Sequence, residues 1–400
     1  MKQGDDLYHA FVEKVTISEP PDGPLNGTLF GVKDNVAVEG QLFTAGHPLF
    51  KDRRATVTAP AVQTLLSAGA TLIGMTETDA GGFGASTPQT INPSYPTQIV
   101  GGSSGGSAAV VAAGYCDFAI GTDTGGSLRI PSACTGLTAL KPTFGRVPND
   151  GVWPLTPQLD HVGLIAQNLK ILSLAGTALL KPSMKEGFVQ PEHPLRIAVE
   201  TNTAEFFDKG IALELDEIHS TLGSCGHTVE RISIPGRENI AEAHGVIVLS
   251  EAASIYSDLT ENEKNQLGKA AKSALRHSEN LTPDMLEAAW EWARAVTAKL
   301  DATLSEFDLL ISPTLPVSPP GKDARRIVLA GEEVPVVVAM TFLTCLANIT
   351  GNPVVSLPNP GSTLAPKTSF QLTGKRGSDE WLLDISIKLE NDLRNEQTAR

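Results

Sequence analysis

Two rhythms of apolar and polar positions run along this chain. Short apolar runs, such as Gly27 to Val38 and Thr71 to Met75, predict buried strands, while the three-to-four spacing from Thr58 to Ala68 predicts a helix facing a core. Their alternation through the first 170 or so residues predicts an α/β fold. From about Glu205 to Ser305 the pattern becomes mainly amphipathic helix, acidic on its polar faces, with one strand expected at Thr228 to Ile234. β-like segments return at Leu309 to Ser312 and Pro353 to Leu357, and a helix from Asp379 to Glu390 closes the pattern. The expected organisation is a core over residues 20–170 and 306–400, with a helical flank or cap over residues 190–305. No internal repeat is evident.

Composition narrows the class. The chain has 400 residues, 41% hydrophobic and 19% charged, with 37 glycines and 27 prolines, which fits a loop-rich globular enzyme better than a coiled coil or a disordered chain. A formal net charge of -14 argues against a direct grip on nucleic acid or on an anionic membrane, since both rely on clustered Lys and Arg. Cys116, Cys134, Cys225 and Cys345 are widely spaced with no CxxC pair, so neither a zinc knuckle nor a disulfide framework is suggested. The N-terminal residues lack the apolar stretch of a secretory signal, and no run of about 18 apolar residues suggests a membrane span. A cytoplasmic location is the expectation.

The chemistry concentrates in two glycine-rich loops, Gly101-Gly102-Ser103-Ser104-Gly105-Gly106-Ser107 and Gly121-Thr122-Asp123-Thr124-Gly125-Gly126-Ser127. Glycine lets backbone amides approach a reacting group closely. The first loop runs into the helix former Ala108 to Ala113, an arrangement that can cradle an anion. It lacks the Gly-Lys-Ser/Thr of a P-loop and a spaced GxGxxG, which disfavours a nucleotide. Gly101 to Gly105 also satisfies GxSxG, the nucleophile elbow, which requires a strand before it, a helix after it, and an acid and a histidine later in the chain. A third feature is Lys33, set in the mostly apolar Leu29 to Val38. Burial there would lower its pKa toward that of a general base, unless the side chain snorkels from a strand end to water.

Gly101 through Ser132 resembles, element by element, the signature of the amidase signature family. It comprises Gly-Gly-Ser-Ser-Gly-Gly, small residues at 108 and 109, then Gly121, Asp123, Gly125 and Gly126, and finally Ser127-Leu128-Arg129-Ile130-Pro131-Ser132. Lys33 matches an upstream Gly-Val-Lys-Asp-Asn motif. Similarity continues through Leu140 to Val147, Asp308 to Pro316 and Thr341 to Pro358, fading mainly in the helical middle.

The resemblance implies one amidase signature domain over residues 1–400, a large mixed β-sheet covered by α-helices on both sides. It implies a serine hydrolase with Ser127 as nucleophile, Ser103 as relay after a cis peptide from Gly102, and Lys33 as base. The backbone amides of Thr124, Gly125, Gly126 and Ser127 are then the expected oxyanion donors. Gly102, Phe83 and Trp153 are the candidate substrate-binding residues, with Thr341 to Ile349 as a further candidate wall. Arg129 and Asp123 are read as buried partners that pin the loop, Ser104 and Ser107 as loop or helix-cap hydrogen bonders, and Cys134 as a core residue.

No metal or organic cofactor is implied, and the expected partner is a small-molecule amide, with a homodimer as an open option. The leading expectation is a free-standing small-carboxamide hydrolase. The alternatives are the glutaminase component of a tRNA-dependent amidotransferase and a non-catalytic binding protein on the same fold. Relatives of that glutaminase commonly carry glutamine where Ile130 stands and are usually longer. A further departure is Met75 to Phe83, where Ala80 and Gly81 replace larger side chains of the family, which leaves the substrate open.

Overall fold

The computed structural model describes residues 6–19, 22–180, 190–191, 194–201 and 206–399. Its strands are β1 (Phe11–Ile17), β2 (Leu29–Lys33), β3 (Thr71–Thr76), β4 (Phe118–Asp123), β5 (Thr138–Lys141), β6 (His161–Ala166), β7 (Arg196–Glu200), β8 (Thr228–Ile232), β9 (Leu309–Pro313), β10 (Arg326–Leu329), β11 (Glu332–Pro335), β12 (Val354–Pro358) and β13 (Ser369–Thr373). Eleven of them form one mixed sheet in the order β1-β3-β2-β4-β6-β5-β12-β13-β9-β7-β8, and β10 with β11 forms a separate hairpin. The helices are α1 (Pro60–Ser67), α2 (Gly105–Ala112), α3 (Arg129–Thr135), α4 (Leu169–Leu179), α5 (Lys209–Ser224), α6 (Ile240–Ile255), α7 (Glu261–Lys264), α8 (Lys269–Ser278), α9 (Pro283–Glu306), α10 (Val336–Thr341), α11 (Leu346–Thr350) and α12 (Asp379–Ala399).

Local sequence accounts for these elements. Strand β2 is apolar and buried beyond its first residue, as a strand covered on both faces must be. Helix α1 opens on Pro60 and buries Ala61, Val62, Leu65 and Leu66. Helix α9 opens on Pro283, with Thr282 capping the Met285 amide. Successive residues of β4 serve different cores: Phe118 and Ile120 pack in the large one with Leu140 and Leu164, while Ala119 joins Ala139, Ile165 and α2. Small residues on that second side let α2 approach closely. A Cβ added at Gly31 would lie 2.9 Å from Thr76 Cγ2 and 3.3 Å from Val110 Cγ2.

Two boundaries differ from the pattern. β7 and β8 fall within residues 190–305, yet both join the main sheet, β7 pairing in parallel with β9. The helical flank therefore narrows to the part beginning near Arg237, where α6 and α9 pack through Ala243, Val246, Ile247, Ala289 and Ala293. Helix α12 also runs past Glu390 to Ala399. Apolar periodicity thins there, and Leu393 is the buried contact that continues it. Among the described residues no helix is long and apolar enough to cross a membrane.

Candidate active site

β2 pairs in parallel with both β3 and β4, so the three chains leave the sheet at the same edge. This is where open α/β sheets place their functional loops. Lys33 ends β2, completely buried, and its Nζ donates to Ser103 Oγ and Thr122 Oγ1, both at 2.8 Å. Asn35 Nδ2 donates to the same Thr122 oxygen at 3.0 Å. Between them, Asp34 pins the following turn by accepting from the Thr44 hydroxyl, the Thr44 amide and the Gly46 amide. Burial lowers the Lys33 pKa from 10.5 to about 7, and the opposing fields of Asp123, Asp160 and Asp79 do not overcome it. With no exposed surface, Lys33 does not snorkel.

Ser103 follows a cis peptide bond from Gly102. Its carbonyl accepts from Thr78 Oγ1 at 3.0 Å and from the Asp79 amide at 3.2 Å. Residues 91–100 form no strand, so the strand-to-helix context of a nucleophile elbow is not met. Ser104 makes no side-chain helix cap. Ser104 Oγ donates to the Thr122 carbonyl and Ser107 Oγ to the Ile120 carbonyl, tying the first loop to β4.

Ser127 is 8% exposed, and its carbonyl accepts from the Ser104 amide at 3.2 Å, joining the two loops. Its hydroxyl makes no hydrogen bond among the described residues. The structure therefore forms the Lys33–Ser103 link and leaves the Ser127 hydroxyl unengaged. The loop itself hangs on Asp123, whose carboxylate accepts from the Gly126 and Leu128 amides and from Arg129 Nε and Nη2. Arg129 also donates to the Thr344 carbonyl, Gln371 Oε1 and Asn348 Oδ1. Both charges are fully buried.

Loop carbonyls are held as well. Half-buried His244 on α6, whose pKa is lowered by desolvation, donates from Nε2 to the Thr124 carbonyl at 3.0 Å. Thr344 Oγ1 donates to the Gly125 carbonyl at 2.5 Å. Across a planar trans peptide the N–H opposes the C=O, so these bonds turn the Gly125 and Gly126 amides away from their holders. The Gly126 amide lands on Asp123 at 2.8 Å, which commits one of the four expected oxyanion donors to loop support. The amides of Thr124, Gly125 and Ser127 have no partner among the described residues.

The reduced side chains at Ala80 and Gly81 acquire a physical reason. A Cβ on Gly81, whose φ is 67°, would sit 2.8 Å from the Tyr256 hydroxyl, 2.9 Å from His47 Nε2 and 2.9 Å from Phe83 Cε2. A Cβ on Gly268, at the start of α8, would meet Ala80 Cβ at 2.1 Å. The helical flank thus closes onto this turn where bulk would hold it off. Gly81→Ala is expected to lower stability by about 1–3 kcal/mol, from positive φ and the clash together, read from urea denaturation. An unchanged midpoint would refute the close approach.

Phe83 and Trp153 come together around Tyr256, with ring centroids 6.2 Å and 6.4 Å from it. In the Thr341 to Ile349 segment, Thr344 and Asn348 hold the Ser127 loop, while Phe342, Leu343 and Leu346 are buried core. Sequence reasoning names the segment carrying Thr344 and Asn348 only as a candidate wall, and misses the roles of Thr122, His244, His47 and Tyr256. His244 and Tyr256 lie in the helical middle, where nothing local marks them. Cys134 is buried in the main core. Among the described residues no group of three or more His, Cys, Asp or Glu could hold a metal ion.

The chain matches the family model described as Amidase across residues 9–383. It is 30% identical to the A-type component of glutamyl-tRNA(Gln) amidotransferase from Natronomonas pharaonis, covering 92% of this chain and 96% of that protein. It is 32% identical to the protein of the same name from Thermus thermophilus, covering 95% and 86%. A solved structure described as an unexpected vestigial protein complex revealing the origins of an s-triazine catabolic enzyme superposes with a TM-score of 0.85 at 27% identity, covering 95% of this chain and 85% of that one.

Proposed function

This chain belongs to the amidase family, and from that premise, as an enzyme acting on amide bonds, we propose that it cleaves a carboxamide through an acyl-enzyme on Ser127. Ser127 Oγ attacks the carbonyl carbon and gives its proton to Ser103 Oγ, which passes its own to neutral Lys33. The proton returns along the same path to the amide nitrogen as the C–N bond breaks, releasing ammonia or an amine, and water repeats the sequence on the ester. The observation that carries this reading is Lys33 Nζ, buried, tuned to about 7 and 2.8 Å from Ser103 Oγ. The free amides of Thr124, Gly125 and Ser127 are the proposed oxyanion donors, each worth about 3–4 kcal/mol of barrier in comparable sites.

Two substrate readings share this chemistry. The amidotransferase names of the two curated relatives favour the glutaminase component over a free-standing hydrolase. Near-complete coverage of the Natronomonas protein also removes the length argument against it. Net charge does not decide the matter, because nucleic-acid contacts can lie on other chains of a complex. The departure at Ile130, which is buried, and the turn at Ala80 and Gly81 favour the small-carboxamide reading.

Labelling with a fluorophosphonate followed by peptide mass spectrometry tests the common chemistry. The expected adduct is on Ser127, absent in Ser127→Ala. An adduct on Ser103 alone would reverse the assignment, and no adduct would favour a non-catalytic role. Ammonia transfer from glutamine to a charged tRNA, seen only with partner proteins present, would select the amidotransferase reading.

A further inference from the structure

Thr124, three residues before Ser127, is gripped from two sides by residues distant in the chain. His244 Nε2 donates to its carbonyl at 3.0 Å, and since a carbonyl only accepts, the imidazole hydrogen sits on Nε2. The Thr124 hydroxyl donates to Asp160 Oδ1 at 2.5 Å. Asp160 is itself fixed: its Oδ2 accepts from the Leu155 amide at 2.9 Å and the Thr156 amide at 3.1 Å, and its carbonyl accepts from Asn149 Nδ2 at 2.8 Å. Thr124 and Asp160 are both buried.

The two grips belong to one packed unit. Leu159, next to Asp160, and Ala243, next to His244, lie in the same apolar cluster with Val246, Ile247, Ala289 and Ala293. The imidazole also rests directly on the loop, since a Cβ built on Gly125 would meet His244 Cε1 at 2.6 Å and Nε2 at 2.9 Å. Glycine lets the ring come this close, and the ring in turn restrains a residue with wide backbone freedom. Across the trans peptide the Gly125 N–H opposes the Thr124 carbonyl, so the bond from His244 points that amide away from α6. Neither it nor the Thr124 amide has a partner among the described residues.

We propose that His244 and Asp160 are positioning residues for the reaction: holding Thr124 by its carbonyl and its hydroxyl, they aim the Thr124 and Gly125 amides at the oxyanion formed when Ser127 attacks. The proposal rests on the acyl-enzyme reading and extends it, because it makes the helical flank part of the oxyanion site. Donors stabilise a developing charge best when they are already oriented, and a misplacement of about 1 Å can cost about 100-fold in rate.

The rate of Ser127 labelling by a fluorophosphonate, whose phosphoryl oxygen takes the place of the oxyanion, provides the test. His244→Leu, which has no donor, and Thr124→Val, which loses the hydroxyl at nearly constant volume, are each expected to lower the plateau rate at high pH by roughly 10- to 100-fold. His244→Gln, which can return an N–H to the same carbonyl, and Thr124→Ser, which keeps the hydroxyl, should recover most of it. The pH midpoint of labelling, set by Lys33, should not move in His244→Leu. A parental plateau in His244→Leu, a loss that His244→Gln fails to recover, or a moved midpoint at an unchanged plateau would overturn the role of His244. Equal rates for Thr124→Val and Thr124→Ser would overturn that of Asp160, and this pair decides the matter if His244→Leu does not fold. Failure of the parent to label at Ser127 would instead strike the acyl-enzyme reading.

Discussion

Lys33→Met is expected to lower amide hydrolysis and Ser127 labelling by about 10²–10⁴-fold, the usual worth of a positioned general base, while making the protein harder to unfold in acid. In the unaltered protein activity should rise as pH passes through about 7, because only the neutral amine can take the Ser103 proton, and the variant should lose that step. The stability effect follows from the same shift. Below pH 7 Lys33 is protonated both folded and unfolded, and the folded state bears a burial cost on the order of 5 kcal/mol. Between about 7 and 10.5 the unfolded chain still binds the proton that the folded state has released, so stability rises with pH, and above 10.5 the cost is gone. Denaturation midpoints of Lys33→Met should therefore exceed those of the parent at pH 6, with the gap closing toward pH 10. A gap independent of pH would show that Lys33 is not held near 7.

Arg129→Met should cost about 3–5 kcal/mol, because it strands a fully buried carboxylate. Burial alone would push the Asp123 carboxyl up, but Arg129 beside it, helped by Asn348, holds it well below the usual carboxylate range. In the parent, this paired carboxylate contributes stability above its unfolded pKa near 4, and the contribution is lost as pH falls toward the folded value. Without the guanidinium the carboxyl moves up, so the deficit of the variant should be largest at neutral pH and shrink in acid. Ser127 labelling should fall as well, since the same carboxylate holds the Gly126 and Leu128 amides. A second change, Asp123→Leu, should restore part of the stability and none of the labelling. If Arg129→Met alone unfolds at the parental urea concentration, the ion pair is not what supports the loop.

Strands with strong apolar content can be read directly. Leu309 to Ser312 and Pro353 to Leu357 appear as β9 and β12, each shifted by no more than one residue at either end. β5, β6, β7 and β13 are not legible in the pattern. Each is four to six residues long, comparable to β9 and β12, but carries polar residues that break the apolar run: Lys141 in β5, His161 in β6, Arg196 and Glu200 in β7, and Gln371 in β13. β8 is visible as a strand, but its place at the sheet edge beside β7 is not, because pairing is a long-range choice.

The chemistry divides along the same physical line. By itself the sequence determined the α/β class, the pairing of a lysine in an apolar run with two serine-bearing glycine loops, and the buried Asp123 and Arg129, because each is written in adjacent residues or in one specific motif. Only the tertiary structure decided that Lys33 loses contact with water, that Thr122 shares its hydrogen bonds, and that Gly126 spends its amide on Asp123. The same holds for His244 and Tyr256, which the helical flank carries to the loops of the sheet. Desolvation and hydrogen-bond assignment depend on every neighbour a group acquires on folding, and those neighbours lie up to 242 residues away in the chain, as Gln371 does from Arg129.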